Sequence, residues 1–333
     1  MTTITPLGTL PFPLAKRPDA APHVCVVVPV YNEERSVEAL CDRLGEALGP
    51  LDATWSVLFV NDGSSDQTMA RLEELHGADE HVSYILLSRN FGHQAALCAG
   101  LDHADGDVFV TMDGDLQHPP ELIATLLAGW REGYDVIHTQ KSSTEDLGHL
   151  RKWTTRFAYR SISAVASVPL VPHASDFRLL DAEARDAVAE LPERARLYRG
   201  LTPWVGLRQG VLPYTAAARA DGKSRYGFRQ LLQLFGRAFF DFSAAPLYVA
   251  LVVGAVTIAL CAAYIVFVLL AASFGKSIPP GYVTEIVAIG LLSSINLFLI
   301  GVLSVYVSRI YDEVRHRPSY VVGRKRIHSK GPA

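Results

Sequence analysis

Val108-Phe-Val-Thr-Met-Asp-Gly-Asp-Leu-Gln-His-Pro-Pro-Glu121 runs from an apolar segment into two carboxylates, Asp113 and Asp115, separated by Gly114. In an extended segment residues i and i+2 point to the same face, so both acids project together from the carboxyl end of a strand. Open α/β sheets bind their ligands at that edge. Pro119 then opens a helix, with Glu121 in its first turn. Two acids beside a glycine that permits close approach suit a hard divalent cation shared with phosphate oxygens. An Asp-Gly-Asp turn is also ordinary turn chemistry, so the rest of the chain decides its meaning.

The preceding residues repeat one pattern. His23–Val30 is a continuous β-branched run, as in a strand buried on both faces of a parallel sheet. Helical spacing follows at Val37, Leu40, Cys41, Leu44 and Leu48. A second strand, Trp55–Val60, ends in Asn61-Asp-Gly-Ser-Ser-Asp66, where Ser64, Ser65 or Asp66 caps a helix running through Leu75. A third, Val82–Leu87, leads through Ser88-Arg-Asn-Phe-Gly92 into a helix ending near Ala104, and the fourth, Asp107–Met112, delivers the acid pair. The repeat of strand, loop and helix is that of βαβ units in a mostly parallel sheet. Polar residues gather at the strand ends: Asn32 and Glu33, Asp62, Arg89, then Asp113 and Asp115. Such an edge is a natural nucleotide site.

Composition narrows the alternatives. A net charge of −3 over 333 residues leaves no basic excess for nucleic acid. Cys25, Cys41, Cys98 and Cys261 fall singly on apolar segments, as reduced buried thiols do. Residues 1–22 are Pro-rich, with Lys16 and Arg17 after the apolar residues, which predicts a disordered leader and not a secretory signal. No G-x-G-x-x-G follows the first strand, and Gly-Lys-Ser at 222–224 and 275–277 lacks the earlier glycine of a Walker A loop. Phosphates must instead meet metal and basic side chains.

Val-Pro-Val-Tyr-Asn-Glu-Glu (28–34), Asn-Asp-Gly-Ser-Ser-Asp (61–66), Arg-Asn-Phe-Gly-His-Gln (89–94) and Asp-Gly-Asp-Leu-Gln-His-Pro (113–119) occur in this order at four strand ends. Together they resemble family 2 glycosyltransferases of the polyprenyl-phosphate branch, over roughly residues 24 to 322. The resemblance implies a GT-A fold, a nucleoside-diphosphate sugar donor, a polyprenyl phosphate acceptor, and Mg²⁺ or Mn²⁺ held by Asp113 and Asp115 with Gln117 assisting. It implies nucleotide contacts from Pro29, Tyr31, Glu33, Asp62 and Asp113. Ser175-Asp-Phe-Arg-Leu-Leu180 matches the family's D-F-R-L segment, which makes Asp176 a catalytic residue beside Asp115. Arg89, Arg199, Arg219 and Lys223 are the expected phosphate contacts. Where relatives often carry an arginine pair this chain has Gln140-Lys141-Ser142-Ser143, so Lys141, Arg151 and Arg156 are assigned to the acceptor phosphate.

The glycosyltransferase domain is expected over 23–227. Two basic amphipathic stretches, 151–167 and 228–243, read as helices at headgroup level. Lys and Arg are absent from 244–274 and 286–308. The apolar stretches 244–274 and about 283–308 exceed the roughly 20 residues needed to cross a bilayer. A short Pro-Pro connector makes them a transmembrane hairpin spanning 244–309. Arg225, Arg229 and Arg237 precede the hairpin and Arg309, Arg315, Arg317, Arg324, Lys325 and Arg326 follow it, which predicts cytoplasmic termini, a cytoplasmic catalytic domain, and a basic tail over 310–333 that meets anionic lipid headgroups. Asn296 suits an interhelical bond, or an intersubunit bond in a homo-oligomer.

The expected reaction moves a sugar, best read as glucose from UDP-glucose, to the lipid phosphate with inversion. Mannose, an aminoarabinose derivative or an N-acetylhexosamine are the alternative sugars. A processive polysaccharide synthase is disfavoured because Val205-Gly-Leu-Arg-Gln replaces the Q-x-x-R-W signature. The non-enzyme alternative is a nucleotide-sugar binding or flippase-partner subunit, which the acid pair and Asp176 argue against.

Overall fold

A computed structural model describes residues 5–7, 17, 21–141, 174–191, 193, 198–214, 245–274 and 281–328. The expected amphipathic helices at 151–167 and 228–243, and with them Arg151, Arg156, Arg219 and Lys223, lie outside the described residues. The chain divides into two units, Met1–Tyr159 with Val168–Arg225 and Pro318–Ala333, and Arg160–Ser167 with Tyr226–Arg317.

Among the described residues the first unit holds one nine-stranded sheet. Its strands are β1 (Thr5–Pro6), β2 (His23–Val30), β3 (Thr54–Asn61), β4 (Val82–Leu87), β5 (Val108–Thr111), β6 (Val136–Lys141), β7 (Ala174–Asp181), β8 (Gln209–Tyr214) and β9 (Val322–Arg326). They lie in the order β1-β8-β6-β7-β5-β2-β3-β4-β9. Its helices are α1 (Val37–Leu48), α2 (Thr68–Ala78), α3 (His93–His103), α4 (Ile123–Arg131), α5 (Ala182–Ala189) and α6 (Tyr198–Trp204). β5, β2, β3 and β4 run parallel, as the sequence pattern predicts, in a GT-A-like α/β fold. A short 3₁₀ turn, Pro120–Leu122, precedes α4, so the helix after the acid pair begins slightly later than Pro119.

Alternation along β2 explains the layering. Val24, Val26, Val28 and Val30 pack with Leu40 and Leu44 of α1 and Leu126 of α4, whereas Cys25 and Val27 face Leu97 and Ala99 of α3 on the other side. Both faces are covered, as a parallel sheet requires. Pro29 sits near the end of this central strand, where proline would ordinarily cost a ladder bond. The β2–β5 register ends at Val27 opposite Thr111, and Val27 O already accepts from Met112 N. Pro29 faces the same side two residues later, after β5 has left, so no partner is lost.

β7 is one of the elements that the sequence pattern does not announce. It runs antiparallel between β5 and β6. The ladder ends with Thr111 paired to Arg178, and Asp113 and Asp176 follow two residues beyond that pair on the two segments. Thr111 Oγ1 donates to Asp176 O at 2.5 Å and Thr139 Oγ1 to Phe177 O at 2.6 Å, closing the strand end on both sides.

On β6, His138 lies across from Arg178, buried, with its Nε2 3.0 Å from Gln209 Oε1. Gln209 Nε2 donates to Thr202 O, so its Oε1 accepts and the imidazole carries its proton on Nε2. Burial, then the neighbouring Arg178 charge, pushes the imidazole down to about 3. The unfolded chain therefore binds a proton here that the folded chain rejects. Stability is complete above the ordinary histidine range and falls as pH drops below it, by about 2 kcal/mol at pH 5 from this group. Thermal melting at pH 7 and pH 5 checks this, with His138→Asn expected to show a shallower pH dependence than the parent.

The ends of the first unit differ from expectation. The leader is expected to be disordered throughout, yet Thr5 and Pro6 pair with Gly210 and Val211, and Arg17 bridges Asp135 and Asp181 with its guanidinium over Trp130. Within the expected basic tail, β9 pairs antiparallel with β4, Arg324 bonds Glu73, and the His328 ring stacks on His76 at 4.0 Å. β4 otherwise ends the sheet with unpaired backbone groups, and a strand arriving there satisfies them.

The second unit contains α7 (Ala245–Ser273) and α8 (Tyr282–Val314). Within α8, Ala288–Val314 is long and apolar enough to cross a membrane; the corresponding apolar stretch of α7, Val252–Tyr264, is shorter. Ile258, Leu260, Phe267 and Leu297 are each more than half exposed, so the two helices carry a large apolar surface. Thr257, Ser294 and Ser304 turn their hydroxyls onto carbonyls one turn earlier, which satisfies them without water.

Candidate active site

The carboxyl ends of β2 and β3 are tied together before any ligand is considered. Asn32 adopts φ 56, a left-handed conformation its short polar side chain tolerates. Its N–H donates to Ser64 Oγ and its Oδ1 accepts from Ser65 N, both at 2.9 Å. Glu33 N donates to Thr68 Oγ1 at 2.9 Å, and Glu33 Oε2 accepts from Ser36 Oγ. The N-cap of α2 is Gln67 and none of the three candidates, although Asp66, one residue earlier, accepts from Thr68 N at 3.0 Å. Tyr31 stands exposed beside this double loop, while Pro29 is buried in the strand.

Asp62 is 3 % exposed and accepts from Phe91 N at 2.7 Å and Gly92 N at 2.9 Å. Burial raises its pKa, and the two backbone bonds oppose that. Gly92 caps α3, so the carboxylate also meets the positive end of a helix. Gly63 permits this closeness: at φ 68, a Cβ there would lie 2.6 Å from the Arg89 carbonyl carbon. Arg89 is exposed, with its guanidinium 4.7 Å from the Phe91 ring centre. Asp62, expected as a nucleotide ligand, thus orders the loop that carries Arg89, and each oxygen retains a second lone pair.

The acid pair follows β5 directly. Gly114 passes so close to β2 that a Cβ would lie 2.8 Å from Val30 Cγ1. Leu116 adopts φ 62, an uncommon conformation for a bulky residue that costs about 1–3 kcal/mol. That reversal turns Gln117 back, so that its backbone and side-chain N–H groups both donate to Asp115. Asp115 is exposed and Asp113 half-buried. Lys141 Nζ lies 3.5 Å from Gln117 Oε1, which brings the residue assigned to the acceptor phosphate against the acid turn. Two carboxylates and an amide oxygen on one tight turn are the hard donors that Mg²⁺ or Mn²⁺ takes. Among the described residues no group of three or more His, Cys, Asp or Glu gathers to hold a metal. The acid turn thus fits a cation that completes its shell with phosphate oxygens and water.

Asp176 closes the site from β7. Its Oδ1 accepts from Arg178 Nη2 at 3.0 Å, and its Oδ2 accepts from Gln94 Nε2 at 3.3 Å. His93 Nε2 stands between the acids, 3.4 Å from Asp176 Oδ2 and 3.5 Å from Asp113 Oδ1. Arg178 is fully buried, and its other bonds go to Ser175 O, Tyr198 O and Thr202 Oγ1. It therefore ties Asp176 to α6, the helix on which Arg199 lies. Sequence reading quotes His93, Gln94, His118 and Arg178 inside the motifs but gives none of them a role. Their presence in those motifs was the available signal; their direction was not.

His118 lies beneath the acid turn, 1 % exposed and stacked on Phe177 at 5.3 Å. Asp113 N donates to its Nδ1 at 3.0 Å. That nitrogen therefore carries no proton, and Nε2–H donates to Ser175 Oγ at 2.7 Å. Burial pushes this imidazole down to about 4.

Several known proteins are similar to this chain. Residues 25–188 match the family model for glycosyl transferase family 2. An uncharacterized glycosyltransferase of Synechocystis sp. is 37% identical over 89% of this chain and 93% of its own. The SfII prophage-derived bactoprenol glucosyl transferase of Shigella flexneri is 33% identical over 93% of this chain and 99% of its own. Among solved structures, the mannosyltransferase PcManGT of Pyrobaculum calidifontis in complex with GDP-Man and Mn²⁺ is 19% identical, covers 91% of each chain, and has a TM-score of 0.46. At 37% and 33% identity over 89% and 93% of its length to the Synechocystis and Shigella proteins, this chain belongs to glycosyl transferase family 2 and is a glycosyltransferase.

Proposed function

We propose that the enzyme transfers glucose from UDP-glucose to a polyprenyl phosphate at the cytoplasmic face of a membrane, with inversion and with Mg²⁺ or Mn²⁺. The observation that carries this reading is the meeting of the two acids at His93, whose Nε2 lies 3.4 Å from Asp176 Oδ2 and 3.5 Å from Asp113 Oδ1. Bactoprenol glucosyl transferases at 33% identity over nearly the whole chain support the lipid acceptor and the choice of glucose.

When bound, the cation supplies positive charge to the leaving diphosphate. Asp113 and Asp115 hold it, with Gln117 as the third oxygen donor once its amide turns. Tyr31, Glu33 and Asp62 line the nucleotide, with Pro29 shaping the strand end beneath. Arg89, Arg199, Arg219 and Lys223 contact the donor phosphates, where guanidinium forks give directed bonds. Lys141, with Arg151 and Arg156, draws the acceptor phosphate to the acid turn, so nucleophile and leaving group meet at one place. A lipid phosphate is already an oxyanion at pH 7, its second pKa being about 6. It needs no base, and Asp176 orients the acceptor or the sugar. An α-linked donor attacked once from the opposite face yields a β-linked lipid-phosphate sugar.

α7 and α8 form a hairpin of two spans, with the basic residues after α8 on the cytoplasmic side. The acceptor's tail then stays in the bilayer while its phosphate sits at headgroup level. Asn296 of α8 offers a polar contact to the neighbouring span or to a second copy in a homo-oligomer.

Membranes carrying the enzyme, incubated with polyprenyl phosphate and labelled UDP-glucose, GDP-mannose, aminoarabinose or N-acetylhexosamine donors, should give an organic-extractable product with UDP-glucose that chelator abolishes. No lipid product from any donor sinks the acceptor assignment, another donor replaces glucose, and chelator-resistant turnover removes the metal from the acid pair.

A further inference from the structure

We infer that His118 is a positioning residue that holds the metal-binding turn and the Asp176 strand in register, through two different nitrogens of one ring. The inference rests on the function proposed above for Asp113 and Asp176.

The geometry leaves little choice of role. His118 follows Asp113 by one turn of chain and is folded back beneath it, so that Nδ1 takes the Asp113 backbone N–H at 3.0 Å. Nε2 meets Ser175 Oγ at 2.7 Å, on the residue immediately before Asp176, and also lies 3.6 Å from Asp113 Oδ2. Ser175 Oγ also accepts from Phe177 N at 3.3 Å, on the far side of Asp176, and lies 3.4 Å from Tyr214 Oη of β8. The two residues flanking Asp176 are thus both anchored to the hydroxyl that His118 holds. Phe177 stacks on one face of the ring, and Tyr214 meets it edge-on at 6.3 Å. A ring so confined transmits a displacement of either acid-bearing segment to the other. The β5–β7 ladder ends at Thr111 and Arg178, short of both acids. Beyond that point, the imidazole continues the connection that backbone pairing no longer makes. Only a ring with two separately directed nitrogens does this, because one must accept and the other donate.

The two nitrogens can be tested separately in the full-length protein in detergent. Asn places an acceptor where Nδ1 lies but cannot reach Ser175; Gln places a donor near Nε2 but leaves the Asp113 N–H without its acceptor. Mn²⁺ alone, followed by its electron paramagnetic resonance signal, is the first readout, with Asp113→Ala as the control that the probe reports this site. His118→Gln is expected to weaken Mn²⁺ about 10-fold or more, as loss of an outer-shell partner typically does. His118→Asn should hold Mn²⁺ within about 3-fold of the parent while losing about 10-fold or more in kcat at little-changed donor KM. His118→Phe should lose both. If Asn and Gln lose both readouts equally, together with melting temperature, His118 only supports the core and the inference is overturned. It is equally overturned if either variant keeps both. The Mn²⁺ arm needs no acceptor, so a protein that binds Mn²⁺ but glycosylates no polyprenyl phosphate defeats the proposed function and leaves the turn-holding role standing on its own result.

Discussion

Asp176→Asn is expected to lower kcat by about 10²-fold, the cost of misplacing reacting groups by around an ångström, while leaving the pH profile of the remaining activity unchanged above pH 7. The reason lies in what already surrounds the carboxylate. One oxygen faces Arg178 at 3.0 Å, and the other faces Gln94 at 3.3 Å and His93 at 3.4 Å. A group held on both sides is suited to fixing a substrate's position, and an acceptor phosphate brings its own negative charge. Asparagine retains the shape and one acceptor oxygen, so some orientation survives. Steady-state kinetics across pH decide the matter. A loss beyond about 10⁴-fold, with a residual rate that follows one deprotonation well above pH 7, would instead identify Asp176 as a general base.

Arg178→Met should cost more in stability than any other single change in the site. The guanidinium is 0 % exposed and its bonds reach β7 itself, α6 and Asp176. Removing one partner of a buried ion pair typically costs about 3–5 kcal/mol, because the remaining charge and carbonyls lose their compensation. Methionine fills much of the volume but offers no hydrogen-bond donor, so Ser175 O, Tyr198 O and Asp176 Oδ1 all lose a partner. Thermal melting reads the stability, and activity measured well below the new midpoint reads the site. Because Arg178 acts on the chemistry only through Asp176, adding Arg178→Met to Asp176→Asn should reduce kcat much less than the product of the two single losses. Fully multiplicative losses would show that Arg178 serves the reaction by another route.

The parts of this fold that the sequence made readable share a physical cause. β2 to β5 are apolar runs with both faces buried, and α1 places Val37, Leu40, Cys41, Leu44 and Leu48 on one buried stripe; such patterns are local and periodic. β7 escaped because a fully buried arginine lies in its middle, and a charged residue reads as surface until its partners are known. β9 escaped for the opposite reason: Gly323-Arg-Lys-Arg326 looks like solvated tail, and its partner β4 lies roughly 240 residues earlier, beyond any local signal. The candidate site divides in the same way. Asp113, Asp115, Gln117 and Asp176 were legible from their motifs, and Lys141 from its place at the end of β6. The orientations of His93, His118 and Arg178 depend on β7 lying between β5 and β6, which no stretch of sequence announces.

The pairing of β9 with β4 also sets an order of manufacture. The strand that finishes the sheet is synthesised after both long apolar helices, so the ribosome has delivered those helices before the sheet can close. Until then β4 offers an open row of amides and carbonyls, an edge that other chains can join. A polypeptide cut short before α7 would keep that edge permanently. Completion of the sheet is thereby made conditional on having already made both long helices, and a glycosyltransferase released without them would also be released unfinished.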